Sequence, residues 1–263
     1  MPDTENLFQL NGVTFGYEKE VQVLNGIDLA VPKGKVTALI GPNGCGKTTV
    51  FALLTKICKP GSGTILFEGK DLSEIARKDY AKRVAAVHQY NTVPEDMTVR
   101  RLISMGRTAY HNLIFSHATG EDLEAVERAM EETHTAEFAE RQVKELSGGQ
   151  MQRVWLALAL AQTRETLLLD EITTYLDVHY QYEILNLIRS FNRHFGTTVL
   201  MVLHDINQTI AYADHVVMMK RGRILATGAA EDVITEEMLC KTYDVNVKLE
   251  TVCNKKICIF EQK

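Results

Sequence analysis

The chain has 263 residues, 45% of them hydrophobic, with 29 Lys plus Arg against 34 Asp plus Glu for a net charge of −5. That is ordinary globular composition with enough length for a sizeable core, so folding need not rest on disulfides or metals. The acidic balance gives no global field for nucleic acid, and no apolar run approaches the roughly 20 residues of a membrane helix.

The opening MPDTENLF has neither the basic end nor the apolar stretch of a signal peptide, so a cytosolic chain is expected, with any membrane role supplied by a partner. LFQLNGVTFGY and VQVLNGIDLAV read as an antiparallel addition beside a parallel core. Val36 to Ile40 is a short apolar run suited to a buried parallel strand. The next eight residues, Gly41-Pro42-Asn43-Gly44-Cys45-Gly46-Lys47-Thr48, fit G-x-x-x-x-G-K-[ST]. Glycines let successive N–H groups turn inward, and the following helix adds its positive end, giving a cradle for phosphate that extends to Thr49. Lys47 is expected to neutralise the β and γ phosphates of a nucleotide, and the Thr48 hydroxyl to ligate Mg²⁺.

Arg77, Lys78, Lys82 and Arg83 read as a solvated helix face. The segment from about 91 to 162 reads helical, and EDLEAVERAMEETHTAEF is its clearest helix. His111 and His117 read as polar loop residues, with no cysteine or carboxylate completing a metal site. Leu146-Ser147-Gly148-Gly149-Gln150 then precedes a mostly apolar helix. Ser147 can cap that helix while the glycines expose its N–H groups, making a second anion site.

Leu167 to Leu169 form a second buried strand that runs into Asp170 and Glu171. Ligands of parallel sheets bind beyond the carboxyl ends of the strands. Asp170 is therefore expected to hold Mg²⁺ through water, and Glu171 to orient and deprotonate an attacking water. Both serve one nucleotide only if the strand stops there, because neighbouring strand residues point to opposite faces. Residues 163 to about 230 return to the core and end in a hairpin turned at Arg221-Gly222. The tail, from about 231, reads as a helical piece and a final hairpin whose tip, NKKI, lies between Cys253 and Cys258. The five cysteines (45, 58, 240, 253 and 258) have no CxxC spacing and read as reduced thiols.

A phosphate cradle alone does not identify the chemistry, but the sequence lacks the N-K-x-D element of a guanine reader. LSGGQ in this position resembles the signature of ABC-type ATPases, and further elements follow in that family's order over roughly Leu7 to Val233. The resemblance implies an α/β P-loop NTPase core with a parallel sheet, an antiparallel β addition and an inserted helical subdomain. The core is then about 1–90 and 163–230, the helical subdomain about 91–162, and the tail about 231–263.

The family's roles carry over residue by residue. Tyr17 matches the aromatic that stacks on adenine. Gln89 matches the glutamine that joins the Mg²⁺ site to the membrane partner and takes part in catalysis. Asp177 matches the aspartate that crosses the dimer interface, and His204 the switch histidine that contacts the γ phosphate. ATP with Mg²⁺, a homodimer, separately encoded permease subunits and an extracytoplasmic substrate-binding protein are implied, with no nucleic acid partner. The protein would then sit peripherally on the cytoplasmic face of the membrane. GRTAYHNLIFS, TTYLD and VLHDINQTIAYADHVVMMKRGRILATG are similar to importers of ferric siderophores, haem and cobalamin, implying uptake of a metal chelate. Ile172 departs from the pattern, since family members commonly carry proline after the catalytic glutamate.

Overall fold

A computed structural model describes residues 5–18, 21–88, 94, 96–111, 118–253 and 255–261. Gln89 and His117 lie outside the described residues. The chain forms two compact units, one running to Ile75 and resuming at Thr198, the other spanning Ala76–Thr197.

The first unit opens with β1 (Asn6–Phe15) and β2 (Leu24–Pro32), paired antiparallel with Leu10 opposite Leu29. Ile27, Leu29 and Val31 alternate inward, as a strand with one covered face requires. β3 (Val36–Ile40) is buried at all five positions and leads into the phosphate-loop motif and α1 (Lys47–Leu54). β4 (Ser62–Phe67) and β5 (Lys70–Asp71) then extend the antiparallel sheet in the order β2-β1-β4-β5.

The second unit contains α2 (Arg77–Ala81), β6 (Val84–Val87), α3 (Val99–Ser104), α4 (Gly120–Glu132), α5 (Gly148–Gln162), β7 (Thr166–Leu169) and α6 (Val178–Phe195). β6 and β7 run parallel, with Val87 opposite Leu169. α6 buries Ile184, Leu185, Ile188 and Phe191, one apolar stripe at helical spacing, and ends on a left-handed Gly196. α4 stops at Glu132, short of the EDLEAVERAMEETHTAEF span read from sequence. The Thr133 hydroxyl donates back to Ala129 O at 2.7 Å, His134 turns left-handed at φ 53°, and a 3₁₀ turn over Ala136–Phe138 follows.

The N-terminus of α4 holds a buried polar knot. Asp122, 4% exposed, accepts from the Thr119 N–H at 2.8 Å and hydroxyl at 2.6 Å, and pairs with Arg107 and His111, each at 2.9 Å. Arg107 also donates to Ala161 O and lies 3.6 Å from the Tyr110 ring centre. Burial would push the Asp122 carboxyl up, but the Thr119 donors and Arg107 outweigh it and hold the carboxyl well below its usual range. A depressed folded-state pKa contributes stability that is complete above the unfolded value of about 3.9 and is lost as pH falls below it. Asp122→Asn is therefore expected to cost roughly 2–4 kcal/mol at pH 7, with a smaller gap from the wild type at about pH 3, in urea unfolding. An equal gap at both pH values would contradict this reading.

The first unit resumes with β8 (Thr198–Val202), α7 (Ile206–Tyr212), β9 (His215–Lys220) and β10 (Arg223–Ala229). It closes with α8 (Ala230–Val233), α9 (Glu236–Tyr243), β11 (Asn246–Val252) and β12 (Lys255–Glu261). β3 lies between β8 and β9, parallel to both, and β10 pairs antiparallel with β9. All five residues of β8 and four of β9 are buried, the near-continuous apolar pattern of covered parallel strands. The β9–β10 turn falls at Arg221-Gly222, both at positive φ, as a two-residue hairpin requires. The last hairpin turns between Val252 and Lys255, so Lys255 to Ile257 of NKKI lie in β12 rather than at the tip, and Cys258 lies buried within that strand.

Candidate active site

In the first unit, β3 stops at Ile40 and the chain turns through Gly41 to Gly46 before α1 begins at Lys47. Gly41, Gly44 and Gly46 all have positive φ. At Gly41 an added Cβ would lie 2.2 Å from the Met219 carbonyl oxygen, so the close approach of β9 excludes any side chain. Gly222 of the following turn donates its N–H to Cys45 O at 3.0 Å, bracing the loop from behind. Met219 and Gly222 are thus supports of the loop that the motif did not indicate. No local signal marks them, since they meet it only through sheet pairing.

The Lys47 ammonium is buried and donates to Gly41 O at 2.8 Å and Pro42 O at 3.2 Å. Its charge is thereby held over the loop, with Pro42 half-buried and Asn43 and Gly44 exposed. Thr48 is exposed in the first turn of α1, while Thr49 is buried. Burial pushes the Cys45 thiol up while Lys47 pulls the other way. Tyr17 is 63% exposed, and its hydroxyl lies 3.4 Å from Thr49 Oγ1, bringing an open aromatic face to the cradle. Phe15 meets the Tyr17 ring edge-on at 4.9 Å. His204 follows β8 and is exposed. Because β8 parallels β3, His204 and the loop leave the same end of that pair, and Leu203 N–H reaches Leu39 O at 3.4 Å.

In the second unit, Asp170 N–H donates to Val87 O at 2.9 Å, and the residue is 2% exposed. Glu171 takes φ 54°, so the strand ends and the chain turns there. Ile172 is 1% exposed. Its burial anchors the turn where proline would otherwise stiffen it, and Thr174 N–H closes on Glu171 O at 3.1 Å. Ile172→Pro is accordingly expected to leave ATP turnover unchanged to within about threefold; a rise of tenfold or more would mean that isoleucine leaves Glu171 loose.

Ser147 caps α5 through a reciprocal pair: Gln150 N–H donates to Ser147 Oγ at 3.3 Å, and Ser147 N–H to Gln150 Oε1 at 2.9 Å. Gly148 is exposed and Gly149 buried. An added Cβ on Gly149 would meet the Tyr180 ring at 2.5 Å. Tyr180 in turn donates its N–H to Asp177, the exposed cap of α6, at 3.1 Å. The signature and Asp177 are therefore brought together, through a ring that sequence reading did not single out.

These donors suit a phosphate ester with a hard cation. Each unit carries an oxygen group of a kind that suits Mg²⁺ with phosphates: the Thr48 hydroxyl in the first, and in the second the Asp170 carboxylate, which suits contact through water. Among the described residues no cluster of three or more His, Cys, Asp or Glu offers a metal cage, which Mg²⁺ bound with phosphates does not need. Among the described residues no helix is long and apolar enough to cross a membrane.

The profile of the ABC transporter family matches residues 24–174. The chain is 40% identical to the iron(3+)-hydroxamate import ATP-binding protein FhuC of Bacillus subtilis (strain 168), over 93% of this chain and 91% of that one. It is 39% identical to the ferric enterobactin transport ATP-binding protein FepC of Escherichia coli (strain K12), over 91% and 89%. Its structure is similar to the ADP conformation of MJ1267, an ATP-binding cassette of an ABC transporter, with a TM-score of 0.80 and 25% identity over 91% of this chain and 98% of that one. A braced phosphate cradle, a strand ending in paired carboxylates, and these likenesses over nine-tenths of the chain place it in one family: it is an ATP-binding domain of the ABC transporter family, ATPases that hydrolyse ATP to power transport.

Proposed function

We propose that this chain is the ATP-hydrolysing subunit of an importer for a ferric siderophore. The observation that carries the substrate class is the pair of relatives at about two-fifths identity, one named for iron(3+)-hydroxamate import and the other for ferric enterobactin transport. None of the cassette's own residues needs to touch the chelate, so the class comes from kinship and the engine from chemistry.

In this reading Lys47 and the N–H groups of Gly44 to Thr48 hold the phosphates, within a cradle formed by Gly41, Pro42, Asn43, Gly44, Cys45, Gly46 and Thr49. Tyr17 stacks on adenine. Thr48 and Gln89 would supply oxygens to Mg²⁺ and Asp170 would hold it through water, and the ion would supply charge that offsets that of the transferring phosphoryl group. Glu171 accepts a proton from the attacking water, and His204 holds an oxygen of the γ phosphate. Ser147, Gly148, Gly149 and Gln150 of a second copy close over the nucleotide, with Asp177 at the seam of this homodimer. Contacts present with ATP and absent with ADP favour the closed pair. That difference, transmitted beside Gln89 to a permease on the cytoplasmic face of the membrane, drives transport.

The test is capture of tagged Glu171→Gln protein from detergent-solubilised membranes in the presence of ATP. A many-spanning permease, and a substrate-binding protein that binds a ferric siderophore, are expected. A binding protein specific for haem, cobalamin or another solute would change the load. Ribosomal proteins or DNA with no permease would remove the transport role.

A further inference from the structure

The C-terminal hairpin is clasped at a single rung from both sides. Leu249 of β11 faces Cys258 of β12. Leu249 N–H donates to the Glu236 carboxylate of α9 at 2.7 Å. On the other edge, Cys258 N–H donates to Asn207 Oδ1 at 2.7 Å, and Asn207 Nδ2 donates to Cys258 O at 3.2 Å. The rung is therefore one whose peptide groups point outward, and the Asn207 carboxamide stands where a neighbouring strand would be. An amide is the side chain that offers both a donor and an acceptor for this.

Asn207 belongs to α7, a helix of seven residues. Its cap, Asp205, accepts from Gln208 N–H at 2.9 Å and directly follows His204. Ile206, Gln208 and Thr209 are buried on the body of the unit, so Asn207 and the hairpin hold α7 separately from that packing. Any tilt of so short a helix moves its first turn and the residue before it.

We propose that Asn207 is a positioning residue for ATP hydrolysis: the clasp on Cys258 lets the C-terminal hairpin set α7, and through it the placement of His204. The inference rests on His204 acting at the γ phosphate. It gives the tail, which no motif absorbs, a part in turnover. A carboxamide two-point bond fixes both translation and tilt, and errors of about 1 Å at a reacting group can cost ~100-fold, so a partial loss follows from freeing one side of α7.

The test uses the full chain with Asn207→Ala, Asn207→Asp, Glu236→Ala and His204→Ala. For Asn207→Ala, kcat is expected to fall about three- to tenfold with the KM for ATP within about twofold. N-ethylmaleimide labelling of buried Cys258, followed by peptide mass spectrometry, is expected to rise at least about fivefold as the clasp opens. Asn207→Asp retains the acceptor for Cys258 N–H but sets a carboxylate oxygen against Cys258 O, so kcat should again fall below wild type; it decides the question if the alanine variant does not fold. Glu236→Ala frees the far edge only, while Lys256 Nζ still donates to Ile234 O at 2.7 Å and holds the hairpin in place, so kcat should stay within about twofold. A fall as large as that of Asn207→Ala would mean that general loosening of the tail, not the clasp, lowers turnover, and would overturn the proposal. Unchanged kcat in both Asn207 variants, or lost kcat without added Cys258 labelling, overturns the proposal. His204→Ala separates the two levels. If it abolishes turnover while the Asn207 variants do not reduce it, the clasp alone is wrong; if it leaves turnover intact, the reading of His204 falls and the proposal with it.

Discussion

Glu171→Gln is expected to slow ATP hydrolysis by roughly 100-fold or more while leaving ATP affinity within about twofold. The argument starts from the strand. Three buried leucines and an Asp170 N–H bonded to Val87 O carry β7 up to its last carboxylate, and the backbone then turns left-handed at Glu171. A residue with a Cβ enters that region at a cost of about 1–2 kcal/mol, which the burial of Ile172 and the closing bond from Thr174 N–H offset. The turn ends the strand there, so the two carboxylates are not held to the opposite faces that a continuing strand would give them. Glutamine keeps the shape of that side chain and cannot accept the proton, so the loss should fall on turnover alone. Phosphate release and calorimetric ATP binding measure the two quantities. A variant with near wild-type turnover would remove Glu171 from the chemistry.

Gly149→Ala is expected to reduce hydrolysis at least tenfold or so while ATP binding to the separate chain is unchanged. The new methyl group would overlap the base of the Tyr180 ring at 2.5 Å, and relieving it takes a change of χ1 rotamer for the whole ring or a shift of the backbone. The same backbone N–H serves Asp177, so the cap of α6 shifts with it. The cradle around Lys47 is built from other residues and should still bind nucleotide. The loss should therefore appear as weakened ATP-dependent pairing of chains, read by sedimentation in the Glu171→Gln background. Normal pairing and normal turnover together would mean that Tyr180 relaxes freely and that the signature tolerates its displacement.

Much of the site was legible because its requirements are local. Gly41 to Thr48 and Ser147 to Gln150 are consecutive residues whose glycine turns, Lys47 ammonium and Ser147 cap engage backbone groups within the same few residues. The buried strands announce themselves as VTALI, TVLMV and TLLL, runs too apolar for anything but a covered sheet. What escaped reading depends on contacts between distant positions. Met219 and Gly222 brace the loop only because β9 pairs with β3, and Tyr180 polices Gly149 only because α5 and α6 pack together. The end of α4 was misread because alternation and charge continue past Glu132, while the stop is set by the Thr133 hydroxyl and the left-handed His134. Asn207 carried no signal in the sequence, because its partner Cys258 lies 51 residues away in the tail.

The most direct measurement is uptake of ⁵⁵Fe-labelled siderophores by cells of the source organism lacking this chain. A panel of ferric siderophores should include at least one whose uptake is lost, restored by the wild-type chain and not by Glu171→Gln. Restoration by Glu171→Gln, or uptake of every ferric siderophore undiminished without the chain, would contradict the account.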